Sequence, residues 1–147
     1  MAEIRVQEAP FQPGAELEAF QASLSNAGAV VTFSGIVRDD SGQMTEMLIE
    51  HYPGMTEAQL TRIAEEAENR WSLAGALVIH RHGILRVGEQ IMMVATASRH
   101  RQNAFEAAEF LMDYLKSRAP FWKKERSANG DSWVAAKDDD ETALSRW

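Results

Sequence analysis

The sequence predicts an α+β domain with a largely antiparallel sheet. Three observations predict it: apolar residues recur at helical spacing in three windows, β-branched or alternating runs stand between those windows, and several runs are joined by short turns. With 147 residues and 45% hydrophobic content, the chain suits one compact domain, residues 1–147, that buries an ordinary core without metals or crosslinks. It contains no internal repeat and no low-complexity segment.

Residues 3–7 alternate as a short strand, and Pro13-Gly14 introduces a helix whose Leu17, Phe20 and Leu24 repeat at helical spacing, with Gly28 expected to end it. Residues 29–37 form a β-branched, mostly apolar run suited to a buried strand, and Asp39-Asp40-Ser41-Gly42 supplies the turn after it. Residues 44–51 return as a strand. Thr56 is then placed to cap a helix running to about Trp71, with Leu60, Ile63, Ala64 and Ala67 on its apolar face.

Residues 76–82 and 90–97 read as two strands joined in hairpin fashion through residues 84–89, which Gly83 and Gly88 bracket. The longest helix follows. Ser98 is expected to cap it, Ala104, Ala108, Leu111 and Leu115 to form its apolar stripe, and Pro120 to close it. Residues 121–126 and 132–136 read as short strands around an Asn129-Gly130 turn, ahead of an acidic, exposed stretch, Asp138-Asp139-Asp140-Glu141.

Composition narrows the chemistry. There is no cysteine, which excludes disulfides, thiolate metal sites and a persulfide carried on this chain. Residues 1–14 carry Glu3, Arg5 and Glu8 with no apolar core of a signal peptide, and no apolar run approaches the ~20 residues of a membrane span, so a soluble, cytoplasmic protein is expected. Total charge is −7, yet Lys116, Arg118, Lys123, Lys124 and Arg126 face only Glu125 within eleven residues, a net +4 that leaves −11 on the rest. That background repels a nucleic-acid backbone and points to a local site for a small anion. The alternative is a solvated basic patch.

Arg99-His100-Arg101 places cations at a helix start, where they oppose the positive end of the macrodipole by ~0.3–1 kcal/mol each. An anionic ligand there would compensate, since free N–H groups and basic side chains together make a phosphate site. Pairing with acidic neighbours in water is the other reading. Lys116 closes the same helix, and Lys123 follows across the break at Pro120, so that chain reversal would bring both to one pocket. Clustered cations favour amines that move protons or attack carbonyls, although two surface lysines are the commoner outcome. His80 and His82 share a strand face but lack a third ligand, which argues against a metal. Phe121, Trp122 and Trp133 suit either stacking on a flat ligand or, more commonly, a core. Arg38 follows a strand end and is placed either to enter a site or to lie on the surface.

Five stretches carry a resemblance: Phe33-Ser34-Gly35-Ile36-Val37-Arg38, Glu50-His51-Tyr52-Pro53-Gly54-Met55, Val78-Ile79-His80-Arg81, His100-Arg101, and Met112-Asp113-Tyr114-Leu115-Lys116-Ser117-Arg118-Ala119-Pro120-Phe121-Trp122-Lys123-Lys124-Glu125. Together with a terminal Arg146-Trp147 they closely resemble the large subunits of molybdopterin synthase over nearly the whole chain.

The resemblance implies an α/β-hammerhead fold and a homodimer at the centre of a heterotetramer, with a small ubiquitin-like sulfur-carrier subunit at each outer end. The carrier's C-terminal thiocarboxylate would donate sulfur twice to cyclic pyranopterin monophosphate, making the dithiolene of molybdopterin with no cofactor or metal on this chain. By the same resemblance, Lys116 and Lys123 match the family's catalytic lysines. The substrate-binding set is Ile36, Val37, Arg38, His100, Arg101, Lys116, Lys123, Lys124, Glu125 and Lys137, the last standing where the family has an arginine that reaches into the neighbouring protomer. Two readings from other classes stay open: a non-catalytic module that captures the tail of a ubiquitin-like protein, and a phosphate-ligand sensor built on Arg99-His100-Arg101.

Overall fold

The computed structural model describes residues 2–134 and 138–147. Among them the elements run β1 (Glu3–Gln7), α1 (Pro13–Ala22), β2 (Ala29–Ile36), β3 (Met44–His51), α2 (Met55–Trp71), β4 (Gly75–Arg81), β5 (Gly83–Leu85), β6 (Gln90–Ser98), α3 (Arg101–Ser117), β7 (Phe121–Ser127), β8 (Gly130–Trp133) and α4 (Asp138–Leu144). The strands form two four-stranded sheets, ordered β1-β4-β6-β2 and β5-β3-β7-β8. Every pairing is antiparallel except β1 with β4, where Glu3 lies opposite Leu77 and Gln7 opposite Arg81. The expected α+β class and antiparallel bias hold, spread over two sheets instead of one.

One edge strand of the second sheet comes from a segment read as a loop. Gly83, at φ 93°, turns the chain out of the first sheet, and Gly83–Leu85 pairs with β3, Ile84 lying opposite Leu48. The β4–β6 connection therefore carries a strand of its own, although β4 and β6 do pair as expected. Three residues are too few for an alternating pattern to show.

The larger core lies where α2 and α3 cover one face of the first sheet and meet β3 and β5. Phe110, Leu111, Leu60, Ile63, Val78, Val94, Ile49 and Leu85 are all buried there. On the opposite face, α1 lays Phe20 over Leu77, Ile79, Met93 and Ala95. Buried on both faces, β4 needs the near-continuous apolar run that its sequence shows. Ala104, Ala107 and Ala108 are buried on α3, and such small side chains let the helix lie close to β6, where the Thr96 hydroxyl donates to the Ala104 carbonyl at 2.7 Å.

Several expectations need correction. The run at residues 29–37 was expected to be buried, but β2 is an edge strand with Phe33 and Ile36 exposed, because an apolar run does not reveal whether a sheet continues beyond it. Helix α1 stops at Ala22, with Ser23 closing it, so Leu24 packs from the following turn and Gly28 plays another part: a Cβ there would collide with the Arg99 carbonyl. Thr56 lies inside α2, where its hydroxyl accepts from the Tyr52 N–H at 3.0 Å; Gly54 is the cap position. Ser98 ends β6 with its hydroxyl bonded to the His100 carbonyl, and His100 is the cap of α3. The second strand of the last hairpin is Gly130–Trp133, while residues 135 and 136 lie outside the described residues. The acidic stretch opens α4, where Glu141 takes two hydrogen bonds from Arg118, at 2.7 and 3.2 Å. Trp122 and Trp133 are exposed on one face of the second sheet, so they are not core.

Candidate active site

A short β6–α3 unit sets the ends of the site. Only Arg99 and His100 separate the two elements, so α3 doubles back over β6 and β2, and its C-terminal end returns to where β6 began. There His80 on β4, Met92 on β6 and Gly35 on β2 stand side by side in register. Pro120 breaks the chain after α3, and β7 starts with Phe121 opposite His51 of β3.

His80 is the centre of this arrangement. Its ring is buried and stacks on Phe121 at 3.7 Å between centroids and 15° between planes. Nδ1 lies 2.8 Å from the Arg81 carbonyl oxygen, which only accepts, so Nδ1 carries the proton. Burial pushes the imidazole down to about 3; the bond to Arg81 works the other way, and the positive charges of Lys123, Lys116 and His51 add to the depression. Lys116, from the last turn of α3, and Lys123, from β7, thus act on one buried ring. The chain reversal that their spacing suggested takes place.

His51 extends the cluster, its ring 4.3 Å from that of His82 and its Nδ1 3.4 Å from the Thr56 hydroxyl. Burial, then the His82 charge, lowers its pKa, against the pull of Glu57. Among the described residues, no group of three or more His, Cys, Asp or Glu is placed to hold a metal ion.

The basic window divides. Arg118 is tied to Glu141, and Arg126 to Glu46 at 2.9 Å with Asp131 at 3.9 Å. Neighbours along a strand point to opposite faces, so Lys124 leaves the side of Lys123 and sets its Nζ 4.5 Å from the Trp133 ring centre. Glu125 shares the face of Lys123, opposite Met47. Lys116 and Lys123 are the two lysines of this window whose charges reach His80.

Ile36, Val37 and Arg38 leave β2 at this same end. Ile36 is exposed, whereas Val37 is buried, its N–H donating to Glu89 and its carbonyl accepting from Gly88, both at 2.9 Å. Arg38 is 75% exposed and paired with Asp40 at 2.9 Å, a weak surface contact that an arriving anion would readily replace. Behind them, buried Arg81 donates to the Glu8 carbonyl at 2.9 and 3.1 Å and to Glu89 at 3.3 Å, fixing the loop that Val37 leans on. Arg81 entered the sequence pattern only as part of the match at residues 78–81; a cation closing a mostly apolar run was the available signal.

Arg99, His100 and Arg101 lie elsewhere. They are exposed at the start of α3, with no acidic residue in its first turn. Arg101 and Lys116 are fifteen residues apart on that helix, which separates them by about 22 Å along its axis. One copy of the chain does not bring them together. Lys137 lies outside the described residues.

The family model of the MoaE protein matches residues 6–118. A molybdopterin synthase catalytic subunit from Cereibacter sphaeroides is 63% identical over 144 residues, covering 98% of this chain and 99% of that protein. The chain belongs to the MoaE family, the molybdopterin synthase catalytic subunits. A solved MoaE protein of molybdopterin biosynthesis from Burkholderia ambifaria superposes with a TM-score of 0.86 at 47% identity, covering 100% of this chain and 98% of that one. More distantly, a Helicobacter pylori chain shares the fold at a TM-score of 0.75 and 22% identity, over 92% of this chain and 90% of its own, in a complex of subunits 1 and 2 of molybdopterin-converting factor. The MoaE match takes in Arg38, His100, Arg101 and Lys116 but stops short of β7, so the alignment with the Cereibacter subunit, which spans nearly all of the chain, covers the Lys123 strand. No helix among the described residues is long and apolar enough to cross a membrane.

Proposed function

We propose that the chain converts cyclic pyranopterin monophosphate to molybdopterin, taking sulfur from the C-terminal thiocarboxylate of a small ubiquitin-like subunit. The observation that carries this reading is that the charges of Lys116 and Lys123 both act on one buried, uncharged His80, beside the strand end that exposes Ile36 and Arg38. Thiocarboxylate and cyclic phosphate are both anions, and a pocket that joins them must offset their repulsion with fixed cations. Guanidinium groups such as Arg38 suit the phosphate, while ammonium groups suit charge on the opening phosphate ring and proton exchange as sulfur adds. The chain has no cysteine on which to carry a persulfide, which agrees with sulfur supplied by a partner. The Helicobacter pylori chain of similar fold is found with a second subunit, which agrees with a small partner here.

The separation of Arg101 from Lys116 supports a homodimer. If His100 and Arg101 bind the same substrate as the lysines, they do so from the second copy of the chain, across about 22 Å of helix that one copy does not fold back.

Reconstitution tests the proposal. The chain is mixed with a thiocarboxylated small subunit and cyclic pyranopterin monophosphate, and molybdopterin is read as its oxidised fluorescent derivative. Product that requires both proteins is expected; intact substrate with the partner bound and no product would leave a tail-capturing module instead.

A further inference from the structure

His80 is a buried ring on which the charges of both lysines act, and three facts fix its state. Its Nδ1 proton is committed to the Arg81 carbonyl at 2.8 Å. Its plane is held by Phe121 at 3.7 Å. It is an uncharged imidazole in a buried place, and a neutral imidazole with Nδ1 protonated presents a bare lone pair at Nε2. The charges of Lys123 from β7, Lys116 from α3 and His51 from β3 reach it, with Arg81 next to it on its own strand, and Lys123 shares the face of β7 from which Phe121 stacks on the ring. Of the three side-chain charges that reach it, that of Lys123 acts most strongly on His80, after burial and the opposing hydrogen bond to the Arg81 carbonyl.

We propose that His80 is a positioning residue for the sulfur-transfer site: its Nε2 lone pair accepts a hydrogen bond from the Lys123 ammonium and aims it at the substrate. The inference rests on the reading given under Proposed function. A neutral acceptor suits this task better than a carboxylate. It holds the ammonium in place without cancelling the positive charge that two anionic reactants require. A protonated His80 would do the opposite, adding a third charge and withdrawing the acceptor.

The variants separate this role from packing. His80→Phe keeps the ring on Phe121 and removes both nitrogens; His80→Asn retains a donor near the Arg81 carbonyl but nothing at the Nε2 position; His80→Gln restores an acceptor there. Expected for Phe and Asn is a fall in kcat of roughly ten- to a hundredfold, the range for losing a hydrogen bond to a charged group. KM stays nearly constant, and the alkaline limb of the pH profile moves to lower pH as the ammonium loses its acceptor. His80→Gln regains most of both. Losses that merely follow thermal stability in all three, with the alkaline limb unmoved, would overturn the assignment.

Two measurements judge the proposal apart from turnover. In the unmodified protein, ¹⁵N NMR of His80 is expected to show protonated Nδ1 and unprotonated Nε2 at neutral pH; a proton on Nε2 would overturn it. NMR titration of the Lys123 side chain is expected to move to lower pH in His80→Phe and to return in His80→Gln. If the unmodified protein makes no molybdopterin, the functional reading fails, while these two measurements still decide whether His80 holds Lys123.

Discussion

Lys116 ends a helix and Lys123 enters a strand, so neither position is held by the element that holds the other. Lys116→Ala and Lys123→Ala are each expected to lower molybdopterin formation by at least about 10²-fold while leaving binding of the small subunit intact. Steady-state turnover beside a binding titration checks both; unchanged turnover would remove the lysines from the mechanism. His80 supplies a prediction about stability. Its folded pKa is about 3 against an ordinary 6.5, so between those values the unfolded chain takes up a proton that the folded one does not. The contribution is therefore complete above about pH 6.5 and falls as the pH drops toward 3, by at most about 1.4 kcal/mol per unit. Urea midpoints between roughly pH 4 and pH 7 should decline more steeply for the unmodified protein than for His80→Phe; equal slopes would mean that the imidazole is not held neutral. The two lysines were legible because their spacing across Pro120 and the surrounding motif survive in one continuous stretch. His80 was legible only as half of a doubtful metal pair, since its burial comes from Phe121, forty-one residues away in the chain.

At the level of elements, Gly28 joins the start of β2 to the corner that carries Arg99, His100 and Arg101. Its backbone donates to Ser98 at 3.0 Å, and the Arg99 carbonyl occupies the space a side chain would take. Gly28→Ala should cost about 1–3 kcal/mol and displace that corner, read as a lower Tm with weaker substrate binding. A Tm equal to that of the unmodified protein would show that the corner yields freely. Phe110→Ala, in the centre of α3, should cost about 3–5 kcal/mol by chemical denaturation, because its ring touches Trp71, Tyr114 and Trp147. Long periodic elements such as α2 and α3 could be read from residue spacing. Their starts could not: Thr56 and Ser98 have the side chains of caps, but the hydroxyls serve Tyr52 and His100. Strand β5 escaped for a different reason, since its identity lies in its partner β3.

For the whole molecule, the α+β class followed from local pattern, but the division into two sheets did not. Pairings such as Glu50 with Trp122 join residues far apart in the chain, and no window of sequence contains both. The proposed site, with Arg101 and Lys116 at opposite ends of α3, would be divided between two copies, which yields a test by mixing. Lys116→Ala and Arg101→Ala, each inactive alone, should regain about a quarter of normal activity when co-expressed, because half of randomly assorted dimers are mixed and each of these holds one complete pocket. No recovery, with mixed dimers demonstrated, would place both residues in a pocket of one copy or remove Arg101 from it.

The parallel pairing of β1 with β4 bears on the order in which the chain folds. Antiparallel β4 and β6 lie close in sequence and are covered at once by α3, so they can assemble from nearby contacts. Strand β1 must instead close a loop of seventy-four residues to set Glu3 opposite Leu77, and it should join last and leave first. Hydrogen exchange under native conditions should find the β1 amides opening well before those of β6. Each such opening would detach the Glu8 carbonyl from Arg81 and slacken the loop beneath Val37, so motion at the chain's beginning would reach the pocket without passing through its core.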